Sequence, residues 1–132
     1  MSGELWNTLR QIHQELLWTF TYVSDQELWN QLDHWEKYDE LPEPGQPFKG
    51  DCDCFAMMAR KWCRKLNIPS QLVYCKVETG EGHLVLAVEG WILDNRQEGV
   101  RSRKDLPYKW RSISGFERGE PWELLYDPNV EV

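Results

Sequence analysis

Lys49-Gly50-Asp51-Cys52-Asp53-Cys54-Phe55-Ala56-Met57-Met58-Ala59-Arg60-Lys61-Trp62 sets a cysteine directly behind a Gly-Asp corner. Phe55, Met58, Ala59, Trp62 and Leu66 recur at helical spacing, which predicts a buried helix from about Asp53 to Leu66. Asp51 or Asp53 suits the N-cap, where a short carboxylate accepts from the free N–H groups of the first turn. A thiol at that end feels the positive pole of the helix dipole, which favours thiolate and predicts a lowered pKa. The same N–H groups suit an oxyanion forming on a carbonyl under attack. Cys52 is therefore a candidate nucleophile. The competing reading is a small buried hydrophobe, the commoner role of a cysteine at a helix start.

Two later segments decide between those readings. Gly82-His83-Leu84-Val85-Leu86-Ala87-Val88 reads as a strand with a histidine at its start. Trp91-Ile92-Leu93-Asp94-Asn95 reads as a second strand carrying an aspartate. If Glu89-Gly90 form a two-residue turn, Val88 pairs with Trp91, Ala87 with Ile92, Leu86 with Leu93 and Val85 with Asp94. His83 shares the face of Val85, so His83 and Asp94 become diagonal neighbours within side-chain reach. A three-residue turn would shift the register and place them on opposite faces. An aspartate beside an imidazole fixes its tautomer and stabilises the imidazolium, leaving the other nitrogen for a thiol.

The segments GDCDCFA, GHLVLAV and WILDN closely resemble those of bacterial transglutaminase-like cysteine peptidases, a branch of the papain-like and transglutaminase-core superfamily. FTYVSDQELW, DHW and LPYKW fit the same pattern, so the resemblance spans roughly residues 20 to 122. It implies that the catalytic triad is Cys52, His83 and Asp94. It also implies that an upstream side chain near the oxyanion is a role open to Trp35, for which core packing is the alternative. The family commonly carries an acidic residue and then an aspartate after the cysteine; here Asp53 keeps the first and Cys54 replaces the second. Some members bind calcium through carboxylates beside the nucleophile, which marks Asp51 and Asp53 as candidate ligands. Two acids at a helix start also read simply as caps, and the chemistry requires no cofactor.

At 132 residues the chain reads as one domain, residues 1–132, long enough for a real core. A net charge of −7 argues against a nucleic-acid partner, which would demand clustered Lys and Arg. The basic stretch from Arg96 to Arg111 reads as a solvated loop. No apolar run reaches the length of a membrane span. Met1-Ser2-Gly3-Glu4 leads straight into amphipathic sequence without a signal-peptide pattern, which predicts a cytoplasmic protein, although relatives in the family are often exported. Cys63 and Cys75 sit in apolar patterns that suit core packing. Cys52 and Cys54 are poorly spaced for zinc, and no disulfide framework is expected.

Leu5, Leu9, Ile12, Leu16, Leu17 and Phe20 predict a first amphipathic helix, with His13 beside that apolar stripe in a boundary position rather than a ligand role. Thr21 to Val23 reads as extended, and Ser24-Asp25-Gln26-Glu27 matches a capping box opening a short helix with Leu28, Trp29 and Leu32. Leu41 to Pro47 reads as a stiff loop beside the substrate groove. Gln71 to Val77 and Trp110 to Ile113 read as further strands. The expected fold is α+β: helices packed on a small antiparallel sheet, with the central helix presenting Cys52 to His83 and Asp94. The expected function is a cysteine peptidase acting on a peptide or isopeptide amide of a protein or peptide substrate. Acyl transfer to an amine, and a non-catalytic binding module on the same fold, are the alternatives.

Overall fold

Leu9, Ile12 and Leu16 fall on one side of a helix, and their burial holds α1 (Ser2–Thr19) against the rest of the chain. In this computed structural model, residues 2–22, 42–117 and 119–125 are described. The expected capping-box helix and Trp35 lie outside those residues, as does the tail after Leu125. From α1 the chain passes into β1 (Phe20–Tyr22), which pairs in parallel with β2 (Phe48–Gly50). The proline-rich turn before β2 is tied to the central helix through Glu43, which pairs with Lys61 and Lys65.

That central helix, α2 (Cys52–Lys65), starts at the cysteine itself, one residue ahead of the expected Asp53. The reason is Asp51. Its Oδ1 accepts from the N–H groups of Asp53 at 3.0 Å and Cys54 at 3.3 Å, so Asp51 is the cap and Cys52 the first helical residue. A cap of this kind is worth about 1 kcal/mol. At the far end Asn67 adopts φ 60 and the Ile68 N–H reaches the Cys63 carbonyl at 2.8 Å, with Pro69 blocking continuation.

Six antiparallel strands follow: β3 (Gln71–Lys76), β4 (Gly82–Val88), β5 (Trp91–Leu93), β6 (Arg101–Ser102), β7 (Lys109–Ile113) and β8 (Glu123–Leu124). Their order in the sheet is β6-β5-β4-β3-β7-β8. The chain thus builds outward to β6, then crosses back to lay β7 beside β3. The stretch from Arg96 to Arg111 is not the solvated loop its charge suggested. It holds β6, a 3-10 turn at Arg103–Asp105 and the start of β7.

Strand alternation sorts the sheet's side chains into two cores. Leu72, Leu84, Leu86 and Leu93 face α2 and α1, meeting Phe55, Met58, Leu9 and Leu16. Val73, Cys75, Val85 and Ile92 face the other way, covered by Leu106 and Tyr108. β4 is buried on both faces, which is why it reads as an unbroken apolar run. Full burial of each such leucine or phenylalanine contributes about 1.5–3 kcal/mol. Cys63 and Cys75 are fully buried free thiols in these cores. No helix among the described residues is long and apolar enough to cross a membrane.

Candidate active site

The β4–β5 hairpin turns at Glu89 and Gly90, both at positive φ (52 and 90). This is the two-residue geometry that matches strand twist, and it sets Leu86 against Leu93, Ala87 against Ile92 and Val88 against Trp91. Continuing that register brings His83 and Asp94 together. The Nε2 of His83 lies 2.6 Å from Asp94 Oδ1, with both residues buried. Because the carboxylate can only accept, Nε2 carries the hydrogen and donates it.

Asp94 is held from every side. The Arg96 N–H also donates to Oδ1, at 2.9 Å, and the Tyr108 hydroxyl donates to Oδ2 at 2.6 Å. Burial by itself would raise the Asp94 carboxyl. The hydrogen bond and charge of His83, the Tyr108 hydroxyl and the Arg96 N–H reverse that and hold it below its ordinary value. Tyr108 in turn accepts from Arg96 Nη1 and Gln97 Nε2, each at 3.2 Å, and Arg96 reaches Glu78 at 3.1 Å. The Tyr108 ring stands edge-on to the His83 ring, centroids 5.8 Å apart. From the opposite core, His13 of α1 donates through Nε2 to the Asp94 carbonyl at 3.0 Å. His13 is fully buried rather than at the edge of the apolar stripe.

The helix side of the site is electrostatically different. Cys52 is half-buried, and its Sγ lies 3.6 Å from Asp53 Oδ1. Burial first, and the Asp53 carboxylate next, push the Cys52 thiol above its ordinary pKa, against a hydrogen bond from the Leu84 backbone. The lowered pKa expected from the helix dipole is thus outweighed. A half-unit charge at a helix end loses to desolvation plus a full carboxylate next door. Cys54, its neighbour, is also pushed up, to about 11, again by burial first. Its side chain fills the space that a Cβ on Gly50 would occupy, so the glycine of the Gly-Asp corner is there for close approach. Asp51 Oδ1 takes the Asp53 and Cys54 N–H groups. The Cys52 N–H, first in the helix, has no partner among the described residues.

Cys52 and His83 line one cavity of about 350 Å³, together with Asp51, Gly82, Asn95 and Arg96. The turn from Pro42 to Pro47 does not contribute to it. Calcium would need six to eight oxygen ligands. Here one oxygen of Asp51 is committed to capping, Asp53 lies against a thiol, and a buried thiol occupies position 54. No cluster of three or more His, Cys, Asp or Glu arranged to hold an ion is found among the described residues.

Tyr108 carries no sequence signal beyond its place in Leu106-Pro107-Tyr108-Lys109-Trp110, because the crossing that delivers it is non-local. His13 had one: it lies four residues after Leu9 and three before Leu16, squarely on the buried stripe.

A helix that begins at a cysteine and packs on an antiparallel sheet bearing a histidine at a strand start defines the papain-like, transglutaminase-core class. Solved structures of LapG from Legionella pneumophila share this fold. The EGTA-treated form matches at a TM-score of 0.70 and 19% identity, covering 94% of this chain and 69% of that one. The calcium-bound form matches at 0.64 and 20% identity, covering 92% and 75%. A comparison with curated proteins gave no match. The model of the bacterial transglutaminase-like cysteine proteinases matches residues 1–129, and the chain belongs to that family. It is a transglutaminase-like cysteine peptidase of papain-like fold.

Proposed function

We propose that the protein hydrolyses a peptide or isopeptide amide of a protein or peptide substrate through a thioester on Cys52, with His83 and Asp94 completing a triad. The observation that carries this is the 2.6 Å bond from His83 Nε2 to a buried, fully bonded Asp94, in a histidine that shares its cavity with Cys52. With Nε2 committed, Nδ1 is the nitrogen for the thiol. His83 takes the Sγ proton as sulfur attacks the carbonyl carbon, and the Cys52 N–H stabilises the oxyanion. The imidazolium, stabilised by Asp94, returns that proton to the leaving amine as the C–N bond breaks. Water, deprotonated by His83, then attacks the thioester; the C–S bond breaks and the thiol regains its proton. A raised thiol pKa makes this a general-base route: the sulfur ionises as the base takes its proton rather than beforehand.

Hydrolysis is favoured over acyl transfer because water needs no dedicated acceptor site. The test is cleavage of a peptide library, with an acid quench and mass measurement for an acyl group on Cys52. Cleavage with a Cys52 adduct is expected. An intact library and no iodoacetamide reaction at Cys52 would leave a binding module as the reading that stands.

A further inference from the structure

We propose that the groove floored by Leu84 and walled by Tyr74, Ser112 and Trp122 is a subsite that takes an apolar side chain of the substrate, beside the scissile bond. This rests on the peptidase reading above and names the class of residue that the site selects.

The groove has a volume of about 360 Å³, and none of the described residues that line it is charged. It adjoins the catalytic centre through the two chain neighbours of His83, Gly82 in the cavity of Cys52 and Leu84 in the groove. On one side, Gly82 lines the cavity that holds Cys52 and packs so tightly on the Tyr74 hydroxyl that a Cβ there would collide. On the other, Leu84 forms the groove floor, and its backbone lies close enough to the Cys52 sulfur to act on the thiol. Leu84, Tyr74 and Ser112 lie side by side on adjacent strands, in register across β4, β3 and β7. Leu84 belongs to the core that packs on α2, and its strand partner Tyr74 shares that sheet face. A peptide whose carbonyl carbon sits at Cys52 therefore has an apolar trough on its α2 side. On the other side it meets the polar wall of Asp51, Asn95 and Arg96. Tyr74 is partly exposed at 36%, so its ring is open to an incoming side chain. The two walls differ in chemistry, apolar on one side of Cys52 and polar on the other.

The experiment uses two acyloxymethyl ketone peptides that differ only in having leucine or glycine beside the reactive carbonyl. Their rates of Cys52 labelling are read by mass, with iodoacetamide as a probe that has no side chain. Burying a leucine in the groove should make the leucine probe roughly tenfold to a hundredfold faster. Ser112→Trp, which fills the trough, and Trp122→Ala, which opens it, should each bring the ratio down by roughly fivefold or more. If Ser112→Trp does not fold, Trp122→Ala carries the test from its exposed position. Trp18→Ala, at an exposed site on α1, should keep the wild-type ratio. A leucine-to-glycine ratio near one in a protein that iodoacetamide labels at Cys52 overturns the subsite. Retention of the wild-type ratio by both groove variants overturns it equally. Failure of iodoacetamide to label Cys52 in the folded protein strikes the peptidase reading instead.

Discussion

The sheet side and the helix side of this site solve opposite electrostatic problems. On the sheet, Asp94 is buried but receives the His83 Nε2–H, the Tyr108 hydroxyl and the Arg96 N–H, so its charge is stabilised inside the core. At the helix start, Cys52 sits in partial burial beside the Asp53 carboxylate, so its charge is opposed. The surroundings favour the carboxylate in one half and the neutral thiol in the other. The difference teaches which side chain of the site its surroundings hold in place. It is the histidine, oriented by the buried Asp94, whereas the helix dipole is outweighed at the thiol.

The sharpest break in that comparison comes from the two neighbouring cysteines. Cys52→Ala should abolish turnover, since no other thiol lines the cavity with His83. Cys54→Ala should keep most of it, because Cys54 packs against Gly50 rather than toward the hairpin. Assays of both variants on one cleaved peptide decide the matter. Activity in Cys52→Ala with loss in Cys54→Ala would reverse the assignment.

Next in size is the aspartate. Asp94→Asn keeps the shape but offers an amide that can donate to Nε2, which favours the wrong imidazole tautomer. Turnover should fall on the order of a thousandfold, with folding retained by thermal melt. Full activity would mean that another group orients His83.

Tyr108→Phe keeps the ring against His83 and removes only the hydroxyl on Asp94 Oδ2. A hydrogen bond to a charged group is lost, so kcat should drop roughly tenfold. The sign of the pH effect follows from the Asp94 carboxyl. It is held low partly by this hydroxyl, so without it the carboxyl titrates at higher pH. The acid limb of the kcat profile should therefore move upward while KM is little changed. A simple loss of packing would lower stability and leave the limb where it was.

Much of this site could be read from local pattern because its parts are local. The two-residue turn at Glu89-Gly90 sets the register of the hairpin, and from it the meeting of His83 with Asp94 follows by counting. The apolar spacing from Phe55 to Trp62 likewise sets the helix that carries Cys52. What could not be read depends on pairings distant in sequence. Tyr108 reaches Asp94 only because the chain crosses the sheet to place β7 beside β3, and no periodicity announces that crossing. His13 bonds a carbonyl 81 residues away. The thiol's raised pKa needed the burial of Cys52 as well as its position. The helix start was visible, and the desolvation was not.

The smallest expected effect tests the helix side on its own. Asp53→Asn removes a carboxylate from beside the Cys52 sulfur and leaves the cap intact, because Asp51 supplies it. Burial, the larger cause of the raised thiol pKa, is unchanged, so only the second cause is removed. A unit charge near 4 Å is worth about 1 kcal/mol even at the dielectric of water, which corresponds to a rise in thiolate of at least roughly fivefold at fixed pH below the pKa. Iodoacetamide should therefore label Cys52 a few times faster in Asp53→Asn than in the wild type, with the rate–pH curve displaced to lower pH. Buried Cys63 and Cys75 should stay unlabelled in both, which shows that the gain is not from loosening. An unchanged curve would show that Asp53 is screened from the sulfur, leaving burial alone to set the thiol. A slower reaction would show that Asp53 assists Cys52, and the contrast between the two halves of the site would have to be redrawn.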